Sequence, residues 1–145
     1  MTLASHLELG ESCEFSKTIA ESDLMLFAGL TGDFDPIHVD EQYARSTRFG
    51  RRIAHGALVL GLLSTTASMM SRRSVARGAT AVPVSLGYDK VRFLRPVFIG
   101  DTLTARYTIE ALDPAAGRSR SRVEVFNQAG EACLVGTHVM KWVAP

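Results

Sequence analysis

The chain has 145 residues, of which 46% are hydrophobic and 21% charged, and its formal net charge at pH 7 is +1. This composition excludes collagen, coiled-coil and disordered classes, and we expect one domain with one core over residues 1–145. Residues 54–63 form the longest nearly apolar stretch, which is too short to span a bilayer, and no signal segment opens the chain, so we expect a cytoplasmic protein.

The charges are segregated along the chain. Residues 1–42 carry nine carboxylates and one lysine, whereas residues 43–88 carry seven arginines and no carboxylate. These arginines either balance the acidic segment within the same fold or meet an anionic ligand. The sequence pI is near 7.9 and no nucleic-acid-binding motif is present, so a phosphorylated small molecule fits better than nucleic acid.

The first third of the chain predicts a strand, a helix and a loop. Polar and apolar residues alternate over residues 11–19, which is typical of a half-buried strand. A helix should follow, because Thr18 and Glu21 have capping-box spacing. Gly32 and the Asp35–Pro36 pair should end that helix, leaving a loop with two carboxylates before a short helix at 40–46 and a basic connector at 47–53.

A second, longer helix is predicted from His55 to about Ser71. Its residues are apolar on all sides, and Met69 and Met70 continue it as expected core residues. We therefore expect a sheet to wrap around this helix, since no other element could bury its circumference in so small a domain.

The remainder of the chain predicts that sheet. A strand begins at Val82 with a bulge near Asp89, and further strands are expected at 103–111, 119–126 and 132–143, the last of them central because both its faces are largely apolar. Cys13 and Cys133 fall in strands and lack the spacing of a metal or redox pair, which predicts buried, reduced thiols. The pattern indicates an α+β fold, and its exposed edge predicts a homodimer.

The loop after the first helix concentrates the chemistry. Asp33 and His38 lie five residues apart across a proline turn, so their side chains can converge on one water and exchange protons with it. The same residue types are also ordinary in polar turns. Asp33, His38 and Asp40 could approach a metal, but no second histidine or cysteine lies nearby in sequence to complete a tetrahedral site, so we predict no metal.

Three segments carry a resemblance to a known family. Residues 31–40 (TGDFDPIHVD), 53–58 (IAHGAL) and 95–103 (RPVFIGDTL) resemble the MaoC-like, R-specific enoyl-CoA hydratase family. The resemblance implies the hot dog fold, a long central helix wrapped by a curved antiparallel sheet. It also implies an enzyme that acts without a cofactor, usually as a dimer.

The implied reaction is the reversible syn addition of water to a trans-2-enoyl thioester, giving a (3R)-3-hydroxyacyl thioester. Asp33 and His38 match the family's catalytic pair, and Gly56 matches the residue whose backbone N–H receives the thioester oxygen. Ser64 matches a serine near the site. The family's usual asparagine before the proline is replaced here by Asp35, which can accept hydrogen bonds but cannot donate them when ionised.

The substrate is expected to be an acyl-CoA or acyl-carrier-protein thioester. If it is a coenzyme A ester, arginines of the basic stretch should meet its phosphates, and we single out Arg51, Arg52, Arg72 and Arg73. His55 is either a second acid–base group or a packed residue at the start of the long helix.

Two other functions compete with the hydratase. A hot dog thioesterase usually has a catalytic Asp or Glu on the central helix, and this helix has neither. A non-catalytic acyl-thioester-binding partner subunit would retain the fold without the chemistry, and the intact Asp33 and His38 argue against it.

Overall fold

The computed structural model describes residues 5–145, and its elements confirm the α+β prediction. Five antiparallel strands form one sheet in the order β1-β3-β4-β5-β2, and one long helix packs on it, which is the hot dog arrangement. The elements in chain order are β1 (Ser12–Thr18), α1 (Glu21–Thr31), α2 (Pro36–Val39), α3 (Glu41–Arg45), α4 (Gly56–Ala76), β2 (Val82–Phe93), β3 (Thr102–Asp113), β4 (Arg118–Phe126) and β5 (Ala132–Val143).

Helix α4 is buried on one face only, so the prediction of complete enclosure was wrong. Its inward residues recur every three or four positions and pack in the core with the sheet's inner side chains, including Val59, Leu63 and Met70. The opposite face is exposed, and Met69 is 39% exposed where a core position was expected. The sheet of one chain therefore leaves the outer face of α4 uncovered.

The same helix runs five residues further than expected. Its last turns are held by a tertiary contact, because the buried Ser74 hydroxyl accepts a hydrogen bond of 3.0 Å from the indole Nε1–H of Trp142. A contact between residues so distant in sequence leaves no local signal, so the predicted end at Ser71 was too early.

Strand β2 forms one edge of the sheet and is irregular. Its pairing with β5 shifts between Asp89 and Arg92, which confirms the bulge near Asp89, and again between Ser85 and Gly87, which was not predicted. β5 lies between β4 and β2, as expected for a central strand.

Local hydrogen bonds explain the helix boundaries near the loop. The predicted Thr18 cap was wrong, because the Thr18 hydroxyl pairs with that of Thr102 at 2.7 Å. The Ala20 N–H instead donates to the Asp23 carboxylate at 2.8 Å at the start of α1. Gly32 ends α1 in the left-handed conformation with φ of 84°, as predicted.

The cysteines and the helices bear on two further expectations. Cys13 and Cys133 are free and buried, which confirms the reading of both as buried thiols. Within residues 5–145, none of the helices combines the length and apolar character that crossing a membrane would require.

Candidate active site

The loop after α1 is organised by consecutive carboxylates. The Asp33 Oδ1 atom accepts the Asp35 N–H at 3.2 Å, and Asp35 Oδ1 accepts the Ile37 N–H at 3.1 Å as the N-cap of α2. Pro36 occupies the first turn, where its missing N–H costs nothing. Asp35 acts here only as an acceptor, so an aspartate serves this turn as well as an asparagine would.

His38 lies on α2, a one-turn helix in a segment for which the sequence predicts a loop. Its ring Nδ1 lies 2.8 Å from the backbone carbonyl oxygen of Ile53. A carbonyl can only accept, so Nδ1 carries the hydrogen and Nε2 of the neutral ring keeps its lone pair. The Ile53 carbonyl therefore fixes the orientation of the His38 ring through Nδ1 and leaves Nε2 available as a hydrogen-bond acceptor.

His55 is packed behind the pair. It is 1% exposed, and its Nε2–H donates to the backbone carbonyl of Asp33 at 3.0 Å. Its ring stacks on that of His38 with centroids 3.9 Å apart, and the Phe27 ring lies 4.7 Å away. His55 thus ties the Asp33 loop to the start of α4, which favours the packed role over that of a second acid–base group.

The three side chains converge. One carboxylate oxygen of Asp33 and one ring nitrogen each of His38 and His55 lie within 4.8 Å of one another. A water molecule hydrogen-bonded to both the carboxylate and the His38 ring can span such a gap.

This cluster also contains the second histidine that a metal site would need. The sequence separation of 17 residues between the two histidines concealed it, and Asp40, the third ligand considered from sequence, instead caps α3 by accepting the Tyr43 N–H at 3.0 Å. Each ring already donates one N–H to a carbonyl, so each keeps a single nitrogen lone pair, and that of His55 Nδ1 is buried.

Gly56 is the first residue of α4. The N–H groups of a helix's first turn have no partner within the helix, and the helix dipole favours negative charge beside them. A Cβ atom on Gly56 would lie 2.8 Å from the Phe93 ring, so any larger residue here would displace that exposed ring.

His38 and Gly56 line one cavity of about 510 Å³, which we call the His38 cavity. Its wall is largely apolar and includes Val59, Phe93 and the buried thiol of Cys133. Burial raises the pKa of that thiol, which keeps it protonated and unreactive.

Ser64 lines a second cavity of about 350 Å³ between α4 and strands β2 and β5. We call it the serine groove because its wall contains Ser64, Ser68, Ser71 and Ser85. Ala57 lines both cavities, so the groove begins one residue beyond Gly56. The structure therefore does not bring Ser64 into the His38 cavity.

Two of the four arginines chosen from sequence form ion pairs with carboxylates of the same chain. Arg52 bridges Glu21 at 2.7 Å and Glu41 at 2.8 Å, and these hydrogen bonds raise its pKa. Arg73 pairs with Glu11 at 2.9 Å. These ion pairs support the alternative in which the arginines of residues 43–88 balance the acidic residues 1–42 within the same fold.

Arg51 and Arg72 have different surroundings. The Arg51 guanidinium stacks 3.9 Å from the centroid of the Phe98 ring. Arg72 is exposed and lines another cavity, on the last turns of α4. Neither residue lines the His38 cavity.

Two arginines that sequence reasoning did not select line the His38 cavity. They are Arg48 and Arg95, and Arg95 also forms an exposed pair with Glu131 at 3.0 Å. Both lie in segments that the sequence singles out: Arg48 belongs to the basic stretch, and Arg95 belongs to the third segment with the family resemblance. Nothing in the sequence distinguished them from the arginines that lie away from this cavity.

A family model described as MaoC like domain matches residues 5–131. The (R)-specific enoyl-CoA hydratase of Rhodospirillum rubrum is 46% identical over 105 residues, which cover 72% of this chain and 67% of the relative.

Two solved structures are also similar. The (R)-hydratase from Aeromonas caviae has 31% identity and a TM-score of 0.82, with 98% of this chain and 100% of that chain covered. The unliganded R-hydratase from Pseudomonas aeruginosa has 34% identity and a TM-score of 0.79, with 99% and 88% covered.

Proposed function

Because the chain belongs to the MaoC-like dehydratase family, we propose that it is an (R)-specific enoyl-CoA hydratase. It adds water to trans-2-enoyl-CoA to give (3R)-3-hydroxyacyl-CoA, and catalyses the reverse dehydration. One observation carries the assignment of residues: the Asp33 carboxylate lies within 4.8 Å of a His38 ring nitrogen, and His38 shares a cavity with Gly56.

Asp33 and His38 act on one water molecule. The Asp33 carboxylate accepts a hydrogen bond from the water and orients it, while the lone pair of His38 Nε2 takes its proton. The resulting hydroxide adds to C3 of the substrate, and the proton held by the pair is delivered to C2. Because both additions come from the same pair, water adds to one face of the double bond.

The Gly56 N–H stabilises the charge that moves onto the thioester oxygen. As C3 is attacked, the C2=C3 electrons shift toward the carbonyl and form an enolate, which needs a donor at its oxygen. A free N–H at the start of a 21-residue helix supplies that donor together with the helix dipole. The donor is held by the backbone, so it requires no reorganisation during the reaction.

The His38 cavity suits an acyl thioester with a charged distal group. Its walls are largely apolar, and its lining includes two guanidinium groups, that of Arg48 and that of Arg95, which is paired with Glu131. Guanidinium groups bind phosphate oxygens in bidentate fashion. Arg48 and Arg95 are therefore, together with Arg51, our first candidates to contact the coenzyme A phosphates. Arg52, Arg72 and Arg73 are less favoured candidates.

We further propose that the chain works as a homodimer. The exposed face of α4 lies beside the edge strand β2, which carries the exposed apolar side chains Val82, Leu86 and Phe93. An unpaired strand edge next to an apolar surface is a site for a second copy. Cytoplasmic location is also proposed, since two free cysteines suit a reducing compartment.

The test is incubation of the purified chain with trans-2-enoyl-CoA esters of several chain lengths. We expect loss of the conjugated thioester absorbance and formation of the (3R) product, identified by chiral chromatography. A thiol reagent added in parallel detects free coenzyme A. Release of coenzyme A without hydration would indicate a thioesterase, and binding without either reaction would indicate a non-catalytic subunit.

A further inference from the structure

The serine groove contains hydroxyl groups that the fold does not use. Among the residues that the structure describes, no hydrogen bond joins the Ser64 and Ser68 hydroxyls or the Tyr88 phenol to another side chain or to the backbone. By contrast, the Ser71 hydroxyl donates to the Ala67 carbonyl at 2.9 Å. A hydrocarbon chain bound in this groove would remove these hydroxyls from water without offering them hydrogen bonds, which costs free energy.

A buried chain of hydrogen bonds ends in the same groove. Ser85 Oγ lies 2.7 Å from His138 Nε2, and His138 Nδ1 lies 2.7 Å from the Tyr107 hydroxyl. His138 and Tyr107 are fully buried, whereas Ser85 is exposed to the groove. Burial lowers the pKa of His138 to about 4, so its ring is neutral at pH 7.

A neutral histidine with two hydroxyl partners can hold either of two proton arrangements. When the Tyr107 O–H donates to Nδ1, the Nε2–H donates to Ser85, and the Ser85 O–H is free to donate to a ligand. When the Ser85 O–H donates to Nε2, the Nδ1–H donates to Tyr107, and Ser85 offers lone pairs to a ligand instead. Ser85 can therefore serve either a carbonyl or a hydroxyl group.

The groove does not suit a charged group. Its lining residues carry no side chain that is ionised at pH 7, since burial raises the pKa of Tyr88, the one titratable group among them. A carboxylate entering the groove would lose hydration without gaining an opposite charge. A neutral oxygen group is the chemistry that the lining can satisfy.

The groove is placed to receive the acyl chain. It begins at Ala57, beside the N–H proposed to bind the thioester oxygen, and follows the face of α4 that contains Ser64 and Ser68. Ser64 lies eight positions beyond Gly56, or about 12 Å along the helix axis at 1.5 Å per residue. A polar group held there is several carbons from the thioester.

We propose that the serine groove binds the acyl chain and favours substrates with a neutral hydroxyl or carbonyl group far from the thioester, recognised by Ser85. This inference rests on the proposed hydratase function. Ser85 is the group that contacts the substrate, and His138 and Tyr107 are positioning residues.

The test compares trans-2-octenoyl-CoA with its 8-hydroxy derivative, and the ten-carbon pair in the same way. We expect the wild type to prefer the hydroxylated ester by roughly three- to tenfold in kcat/KM, which is the effect of one hydrogen bond between neutral groups. The preference should lie in KM rather than kcat. In Ser85→Ala the ratio of the two kcat/KM values should fall to about one.

Two further variants separate recognition from stability. Ser16→Ala is the matched control, because the Ser16 hydroxyl also has one side-chain partner, Thr104 at 2.8 Å, on a strand outside the groove. It should keep the wild-type preference. Tyr107→Phe should reduce the preference, and should have no further effect on it when combined with Ser85→Ala.

Binding of the saturated octanoyl-CoA and 8-hydroxyoctanoyl-CoA by calorimetry makes the inference independent of turnover. Tighter binding of the hydroxylated ester that is lost in Ser85→Ala supports the groove even if no enoyl ester is hydrated, in which case only the proposed function fails. Hydration with equal kcat/KM for both esters of each pair overturns the groove proposal and leaves the hydratase function intact.

Discussion

Replacement of either member of the Asp33–His38 pair should lower kcat by roughly 10²- to 10⁴-fold, the range for a positioned acid–base group. Asp33→Asn preserves the side-chain oxygen that accepts the Asp35 N–H, so the loop should keep its shape while the negative charge is lost. His38→Ala removes the base and also frees the Ile53 carbonyl. We expect that variant to lose about 1 kcal/mol of stability as well, the net value of one hydrogen bond.

The double variant tests whether the two residues act on the same water molecule. Factors of 10² to 10⁴ correspond to about 3–5 kcal/mol of activation free energy. Independent contributions would add in the double variant. In the proposed mechanism both groups act on a single water, so the double variant should be no slower than the worse single variant by more than about threefold.

The matched control is Asp40→Asn, two residues after His38. Asp40 caps α3, and asparagine caps a helix as well as aspartate does, so its activity should stay near that of the wild type. The assay is the initial rate of loss of the conjugated thioester absorbance, with circular dichroism to establish folding. Near-wild-type turnover in folded Asp33→Asn or His38→Ala, or multiplied losses in the double variant, would refute the mechanism.

Four other outcomes are expected. Gly56→Pro, which removes the N–H, should lower kcat on the order of 10²-fold relative to Gly56→Ala, which also adds a Cβ beside Phe93 but keeps the N–H, with an unchanged circular dichroism spectrum. Arg48→Ala and Arg95→Ala should raise KM for enoyl-CoA in a salt-sensitive manner but not for a pantetheine thioester, which lacks the nucleotide phosphates; equal effects on both would remove the phosphate assignment. Light scattering at micromolar concentration should give the mass of a dimer, and a monomer there would contradict the assembly. The pKa of His138 is lowered from 6.5 to about 4 in the folded chain. Between pH 4 and 6.5 the unfolded chain therefore binds more protons than the folded chain. The free energy of unfolding should fall by about 3 kcal/mol as the pH drops through that range. Chemical unfolding of wild type and His138→Gln at pH 7 and pH 4 checks this, since the variant should lack that part of the loss.

The loop that contains Asp33 and His38 could be predicted from sequence because its determinants are local. Gly32 ends the preceding helix, Asp35 and Pro36 start the next turn, and the five-residue interval brings Asp33 and His38 to one side. Each of these effects acts within a few residues, so the pattern is readable without knowledge of the fold.

The features that escaped prediction depend on distant contacts. His55 reaches the Asp33 loop from 22 residues away, and the pairing of Ile53 with Phe98 anchors the connector before it. Arg73 finds its partner Glu11 across 62 residues. Charge counts indicate that such partners exist within the chain, but only the packing of β1 beside α4 determines which arginine is neutralised.

The one-sided burial of α4 connects the assembly to substrate selection. The serine groove lies between the exposed side of α4 and the edge strand β2, where we propose that the second copy binds. A partner chain there would exclude water from the groove, and hydrogen bonds between neutral groups are stronger when water does not compete for them. The preference for hydroxylated acyl chains should therefore weaken when the protein is diluted below the dissociation constant of the dimer. A preference that stays constant across that dilution would show that the partner chain does not contribute to it.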